Sequence, residues 1–341
     1  MAIRMEDIAR LAHVSRSSVS IAVNGKPGIS DEVRKRIFKV IDQTGYHVLR
    51  NRRKNDKRAL ARVRLLVVTS KNGMIGANYR SLPFFDNLVT GLADLCAKTD
   101  SSFKIEILNI SQFDEKLNSI VSETPDIPTI ILGSDMTSEQ VQQMRNKITY
   151  TIFVDTYFPD LTADFVTMDN YKGAYNAAKY IISRGHTEIG YIASQVWISN
   201  FQERRRGFYA ALHEKKIEIT ADNYITFSPT TLMPDHNEEI ERLIDRKNRP
   251  TAIFCENDVM AVHLIKELQI NGVNVPDEIA VMGFDDIPEG QLISPELTTI
   301  HVPIKQIVNQ CVQQLAAQVA WKKWKPQTVL VSTDLVKRNS L

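Results

Sequence analysis

Apolar positions in the first 45 residues recur at three-to-four spacing in three short blocks. Met5, Ile8, Ala9, Leu11 and Ala12 share one face of a helix whose first turn carries Glu6 and Asp7, suited to the positive end of the helix dipole. His13-Val14-Ser15 is long enough only for a tight turn, and Ser15 is a good N-cap for a second helix over 16–23 with Val19 and Val23 facing inward. Asn24-Gly25 stops it. Ser30, followed by Asp31-Glu32, caps a third helix to about Thr44, with Val33, Ile37, Val40 and Ile41 on one face and Gly45 as its stop. Helices this short need each other to make a core, so the pattern predicts a three-helix unit of the helix-turn-helix kind.

From Val63 the pattern changes to short β-branched runs alternating with helical stretches. Leu65-Leu66-Val67-Val68, residues 104–108, 129–132 and 151–154 are four such runs; the pattern restarts at Phe165-Val166-Thr167-Met168 and continues through residues 189–192, 252–255 and 279–282. Alternation at this spacing predicts parallel sheets with crossover helices, in two α/β halves with a cleft between them. Asp169-Asn170 starts a helix that Gly185 ends, its N-terminus facing that cleft. Ile304, Ile307, Val308, Cys311, Val312, Leu315 and Val319 form a helical stripe that reads as core.

Charge divides the chain in the same place. Residues 1–64 hold 16 Lys/Arg against 6 Asp/Glu, a net of +10, and residues 65–341 hold 26 against 34, a net of −8, within an overall +2. A basic head on an acidic body is the electrostatic footprint of a nucleic-acid-binding module joined to a different function. In a helix-turn-helix the second helix enters the major groove. Arg16 and Ser17 then face base edges, with Arg16 able to fork onto a guanine, while Ser15, Ser18 and Asn24 suit phosphates.

The 341 residues, 43% hydrophobic, are enough for two or three domains. Three separated cysteines without a CxxC pair predict a reducing, cytoplasmic setting, and no run approaches the ~18 apolar residues of a membrane span. Neither a dinucleotide nor a Walker-type glycine motif is present, no nucleophile elbow occurs, and the seven histidines lack metal-ligand spacing. We therefore expect no enzyme and no cofactor.

Glu6-Asp7-Ile8-Ala9-Arg10-Leu11-Ala12, Val14-Ser15, Ser18-Val19-Ser20, Val23-Asn24-Gly25, Ile29-Ser30 and Gly45-Tyr46 together resemble the head of the lactose-repressor/galactose-repressor (LacI/GalR) family. The resemblance runs on to Leu335-Val336-Lys337-Arg338-Asn339-Ser340. It implies an α/β protein with a helix-turn-helix DNA-binding head at 1–48, a basic hinge at 49–64 and a periplasmic-binding-protein-like core at 65–341. The core's two doubly wound subdomains would comprise about 65–163 with 293–325, and about 164–292 with 326–341. His13 stands where the family usually has glycine, in a turn that asks for positive φ, and Ile21 where it often has arginine, so Ile21 can reach only a thymine methyl or sugar.

The linker, residues 50–64, carries eight Lys/Arg, Arg50, Arg52 and Arg53 among them, and one Asp. The family's hinge helix wedges a leucine into the minor groove; here Val48 replaces its usual proline, Asn55 falls near the wedge position, and Leu60 serves if the segment is longer. An ordered hinge and a basic tether both fit, and either binds phosphate.

For the cleft, the resemblance implies effector contacts from Arg204 ahead of Gly207-Phe208, from Asn257 after the strand ending at Cys255, and from Asp285 after Gly283-Phe284. Asp155 and Ser70 would close the opposite wall, and Phe84, Phe85 and Phe227 would supply aromatic faces. Arginine with carboxylate and amide offers the forked donors and acceptors that sugar hydroxyls require. The same residues also allow a structural Arg204–Asp285 ion pair, a helix cap at Asp258 and plain core phenylalanines. The resemblance implies a regulator, most often a repressor in this family, that binds a double-stranded operator and a small effector, a carbohydrate. It would be a homodimer, because no heptad tail for tetramers follows Ser340. Control by a protein corepressor is a second reading, and a sugar-binding protein or enzyme with an incidental head a third.

Overall fold

The computed structural model describes residues 5–23, 28–44, 60–99, 101–231, 238–245, 249–321 and 323–341. Asn24, Arg50, Arg52 and Arg53, with linker positions Val48 and Asn55, lie outside them. The chain divides into two units, Met1–Arg58 and Ala59–Leu341.

In the first unit, α1 (Met5–Leu11), α2 (Arg16–Val23) and α3 (Asp31–Thr44) enclose a core of Ile8, Ala9, Ala12, Val19, Ala22 and Ile37. Ser15 Oγ accepts the Ser18 N–H at 3.1 Å and Ser30 Oγ accepts the Val33 N–H at 3.3 Å, so both expected caps satisfy amides that a helix start leaves bare. Arg34 donates to the Ala22 carbonyl and ties α3 to the end of α2. The α1–α2 turn does require the left-handed region, and His13 occupies it at φ 51°.

The second unit contains two parallel sheets. The six-stranded one has the order β11-β5-β4-β3-β1-β2, from β1 (Arg62–Thr69), β2 (Ser102–Asn109), β3 (Thr129–Leu132), β4 (Thr151–Val154), β5 (Phe165–Met168) and β11 (Thr328–Val331). The four-stranded one has the order β7-β6-β8-β9, from β6 (Ile189–Ser194), β7 (Tyr224–Phe227), β8 (Ala252–Cys255) and β9 (Ala280–Met282). Strands β3, β4, β5 and β8 are buried along their whole length, as parallel strands covered by helices on both faces must be. Around the first sheet lie α4 (Pro83–Lys98), α5 (Phe113–Glu123), α6 (Ser138–Lys147) and α11 (Ile304–Ala320), whose apolar stripe packs on α4, β4 and β5. Around the second lie α7 (Asn170–Ser183), α8 (Ser199–Glu214), α9 (Glu238–Ile244) and α10 (Asp258–Ile270).

Three crossings join the halves: after β5, between β10 (Thr299–His301) and α11, and between β11 and β12 (Asp334–Val336), which pairs antiparallel with β10. Helices α7 and α8 touch so closely that a Cβ on Gly207 would sit 2.0 Å from the Tyr171 carbonyl oxygen, which is why glycine stands there.

Two expectations are corrected. The run 165–168 does not open the second half: β5 pairs with β4 and β11 and completes the first sheet, and 328–331 follows it there. Leu60 is 5% exposed and belongs to the core of the first half with Val63 and Leu65, so a side chain already committed to packing does not serve as the minor-groove wedge.

Candidate functional site

In the first unit, Ser15, Arg16 and Ser17 are exposed at the start of α2, with Ser18 and Ile21 half-buried. Ser17 and Ile21, one turn apart, lie away from the buried Val19 and Ala22. Ser15 Oγ is 2.7 Å from Ser17 Oγ and 2.9 Å from Ser18 Oγ, a hydroxyl cluster at a helix N-terminus where phosphate oxygens are favoured. Arg16 pairs with Glu6 at 3.2 Å, with side chains 69% and 66% exposed. Such a pair is worth little in water and leaves the guanidinium available to a base.

In the second unit the halves meet over a buried polar chain. Arg204, 3% exposed on α8, lays its guanidinium 3.7 Å from the Phe284 ring centroid. Its Nε donates to Asn170 Oδ1 at 2.9 Å, its Nη1 to the Glu256 carbonyl, and its Nη2 to Asp285 Oδ1 at 2.9 Å. Asn170 Nδ2 donates to Asn200 Oδ1 at 3.0 Å, and Asn200 Nδ2 donates to Asp155 Oδ1 at 2.7 Å. Asp155 also accepts from Ser134 Oγ. Asp155 follows β4 in the first half, whereas Asn200 and Arg204 lie one turn apart on α8 in the second. The network Asp155–Asn200–Asn170–Arg204–Asp285 therefore ties one half to the other.

Met74, Phe84, Phe85, Ile198 and Phe201 supply the apolar wall. Met74 is placed by Asp135, whose two carboxylate oxygens accept the Met74 and Ile75 N–H groups at 2.7 Å each. A Cβ on Gly73 would lie 2.4 Å from that carboxylate, so only glycine permits the clamp. The free space between the walls is about 20 Å³, room for one water molecule. A sugar enters only if the halves separate or these side chains swing away.

Of the expected contacts, Arg204, Asp285, Asp155, Phe84 and Phe85 are brought together, and three are not. Phe227 is buried in the second half, stacked 4.6 Å from the His263 ring among Ile192, Ile253 and Leu264. Asn257 spends its amide locally: Oδ1 caps α10 by accepting the Met260 N–H, and Nδ2 donates to the Pro229 carbonyl. Ser70 closes the 70–75 loop through its N–H to the Ile75 carbonyl, outside the cavity lining. Asp258 is a tie, accepting from Thr299 Oγ1 at 2.6 Å and the Ile287 N–H at 2.9 Å, and the cap is its neighbour Asn257. The Arg204–Asp285 ion pair is present. Sequence reasoning named none of Asn200, Asn170, Ser134 and the Glu256 carbonyl as contacts; the available signals were the Asn200/Arg204 spacing of i, i+4 and the position of Asn170 at a helix start facing the cleft.

Burial pushes the carboxyls of Asp155 and Asp258 up to about 7 and that of Asp285 up to about 6, the last held down by Arg204. The unfolded chain releases these protons near pH 4, whereas the folded core keeps them to pH 6–7. Their contribution to stability is therefore complete below about pH 4 and declines as pH rises through 7. The urea midpoint of the core is expected to fall between pH 5 and pH 8, and Asp155→Asn to flatten that fall. An unchanged slope in the variant would contradict it.

Among the described residues no group of three His, Cys, Asp or Glu is placed to hold a metal ion, and no helix is long and apolar enough to cross a membrane. Residues 4–48 match the family described as bacterial regulatory proteins, lacI family, and residues 178–341 a periplasmic binding protein-like domain. The chain is 31% identical to the HTH-type transcriptional regulator GalR of Salmonella typhimurium (strain SL1344), over 99% of this chain and 95% of that protein. It is 27% identical to the ribose operon repressor of Haemophilus influenzae, over 99% and 98%. Its fold matches the crystal structure of the Lac repressor dimer bound to operator and the anti-inducer ONPF, with a TM-score of 0.69, 18% identity and coverage of 100% and 99%. With a relative of this identity aligned across nearly its whole length, and the head and core matched separately, the chain belongs to the LacI/GalR family of DNA-binding transcriptional regulators.

Proposed function

We propose that this protein is a dimeric repressor whose affinity for its operator is set by a small neutral sugar held between the two halves of the core. The observation that carries the reading is the buried chain from Asp155 through Asn200, Asn170 and Arg204 to Asp285. It supplies carboxylate acceptors and forked donors beside Phe84, Phe85 and Phe201, the combination that a hydroxylated ring with apolar faces needs. Above about pH 7, where both carboxylates are ionised, the two aspartates outweigh one arginine, which opposes anionic ligands and accommodates neutral ones.

A ligand hydroxyl on Asp155 competes with Asn200, one of the bonds that span the halves, so binding shifts the population of their relative angles. The change reaches the DNA through the chain that enters β1 and through the paired heads of the dimer. There Arg16 reads a base, Ser15, Ser17 and Ser18 contact the backbone, Ile21 meets a thymine methyl, and the basic segment with Arg50, Arg52 and Arg53 holds phosphate. The Lac repressor dimer bound to operator supports the two-fold arrangement on two half-sites, and the relative named a ribose operon repressor supports a sugar.

The test is a gel-shift titration at fixed salt against an operator selected from a random duplex pool, with and without neutral pentoses, hexoses and uronates. A shift in operator affinity with a neutral sugar and none with a uronate is expected. Equal affinity under every ligand that binds the cleft overturns sugar control.

A second reading, control by a protein corepressor, is favoured by the small free space and by a cleft whose polar groups already satisfy one another. Calorimetry of the full chain against the sugar panel separates the two.

A further inference from the structure

Trp197 lies in the connection between β6 and α8, is 72% exposed, and is followed directly by Ile198, which lines the cleft. Leaving the largest apolar side chain in water forgoes the burial that usually accounts for it. The ring is nevertheless held. The Arg205 guanidinium lies 4.9 Å from its centroid, and Trp is the best partner for such a cation.

Arg205 is itself anchored, with Nε 2.5 Å from Glu256 Oε1 and Nη2 3.1 Å from both Glu256 Oε2 and the Ser194 carbonyl. Glu256 is fully buried and also accepts from the Tyr191 hydroxyl at 2.9 Å and the Ser194 N–H at 2.6 Å. A carboxylate so enclosed persists only with this many partners. The same residue gives its backbone carbonyl to Arg204. The exposed ring and the buried arginine of the cleft thus rest on one support, at the ends of β6 and β8.

We infer that Trp197 and Arg205 form a second subsite at the mouth of the cleft, which takes the outer ring of a disaccharide whose inner ring enters between the halves. The inference rests on the sugar reading above. A pyranose ring carries a flat C–H face that suits the indole surface. Arg205 Nη1, which none of the bonds above uses, is placed for a hydroxyl of that ring. A platform already fixed by three hydrogen bonds loses little freedom when a ligand stacks on it. A monosaccharide seated at Arg204 leaves Trp197 uncovered, so the subsite discriminates by ligand length.

Isothermal titration calorimetry of the full-length protein with glucose, galactose, maltose, cellobiose and lactose tests this. One disaccharide is expected to bind roughly tenfold or more tightly than its monosaccharide, the loss seen when an aromatic anchor is removed, and Trp197→Ala to bring that ratio near one. In a Trp321→Phe/Trp324→Phe background, the remaining fluorescence of Trp197 is expected to shift to the blue with the disaccharide and not with the monosaccharide. A ratio that survives Trp197→Ala, or monosaccharide binding with no disaccharide preference, overturns the subsite alone. Failure of every sugar to bind overturns the sugar reading and the subsite with it. Trp197→Ala that weakens the dimer in sedimentation while leaving the ratio intact also overturns the subsite and assigns the ring to protein contact.

Discussion

Arg204→Ala is expected to destabilise the core by about 3–5 kcal/mol, the cost of removing one member of a buried ion pair, and to abolish any sugar-dependent change in operator affinity. The reason lies in what the deletion strands. Asp285, Asn170 Oδ1 and the Glu256 carbonyl all accept from this one guanidinium, and none is exposed enough for water to replace it fully. Asp285 can escape by protonating, so the loss should be larger at pH 8 than at pH 5.5. Asp285→Asn on top of Arg204→Ala should recover part of the stability at pH 8, because the stranded charge is then absent. Urea denaturation of the single and double variants at both pH values measures all three quantities. A loss below about 1 kcal/mol at pH 8, the range of an exposed pair, would show that the guanidinium is not held as described.

The second large effect belongs to the head. Arg16→Ala is expected to weaken binding to the selected operator by about 1–3 kcal/mol, while non-specific binding changes little, if Arg16 forks onto a base. Among the described residues its ion-pair partner is Glu6, in an exposed pair that contributes at most about 1 kcal/mol. Fluorescence anisotropy at several salt concentrations, with operator and random duplex, distinguishes the roles. Equal weakening on both duplexes, with the salt slope lowered by about one, would make Arg16 a phosphate contact. Ile21 sharpens the expectation, because an apolar side chain there leaves Arg16 and Ser17 to carry most of the hydrogen-bonded base reading on α2.

How much of this was visible in the chain depended on whether the determining interaction is local. The three head helices could be read because their signals lie within a few residues of each other: Ser15 and Ser30 bond to amides three positions on, and Val19 and Ile37 recur on one face. The turn at His13 was equally local, since its backbone geometry follows from the two helices it joins. Alternation of β-branched runs with helical stretches established the parallel α/β class for the same reason. Arg204, Asp155 and Asp285 were named from positions at strand and loop ends that the family resemblance implies, and Phe84 and Phe85 as aromatic candidates, in a set that also held Ser70, Phe227 and Asn257.

Tertiary structure decided everything that turns on partners far away in the chain. Parallel strands buried on both faces carry the same composition whichever sheet they join, so nothing within 165–168 reveals that its neighbours are β4 and β11. Phe227 and Leu60 were apolar residues at plausible positions, and only packing showed that His263 and the first-half core claim them. Asn257 has the right chemistry for a ligand but is consumed by Met260 and Pro229. Asn170, Asn200 and the Glu256 carbonyl join the cleft network only because α7, α8 and the end of β8 converge there. Local pattern thus determined which elements exist and which residue types they offer, and long-range convergence decided which of those residues meet. A hydrogen bond is a contact of about 3 Å that residue order alone does not encode when its two ends come from different strands.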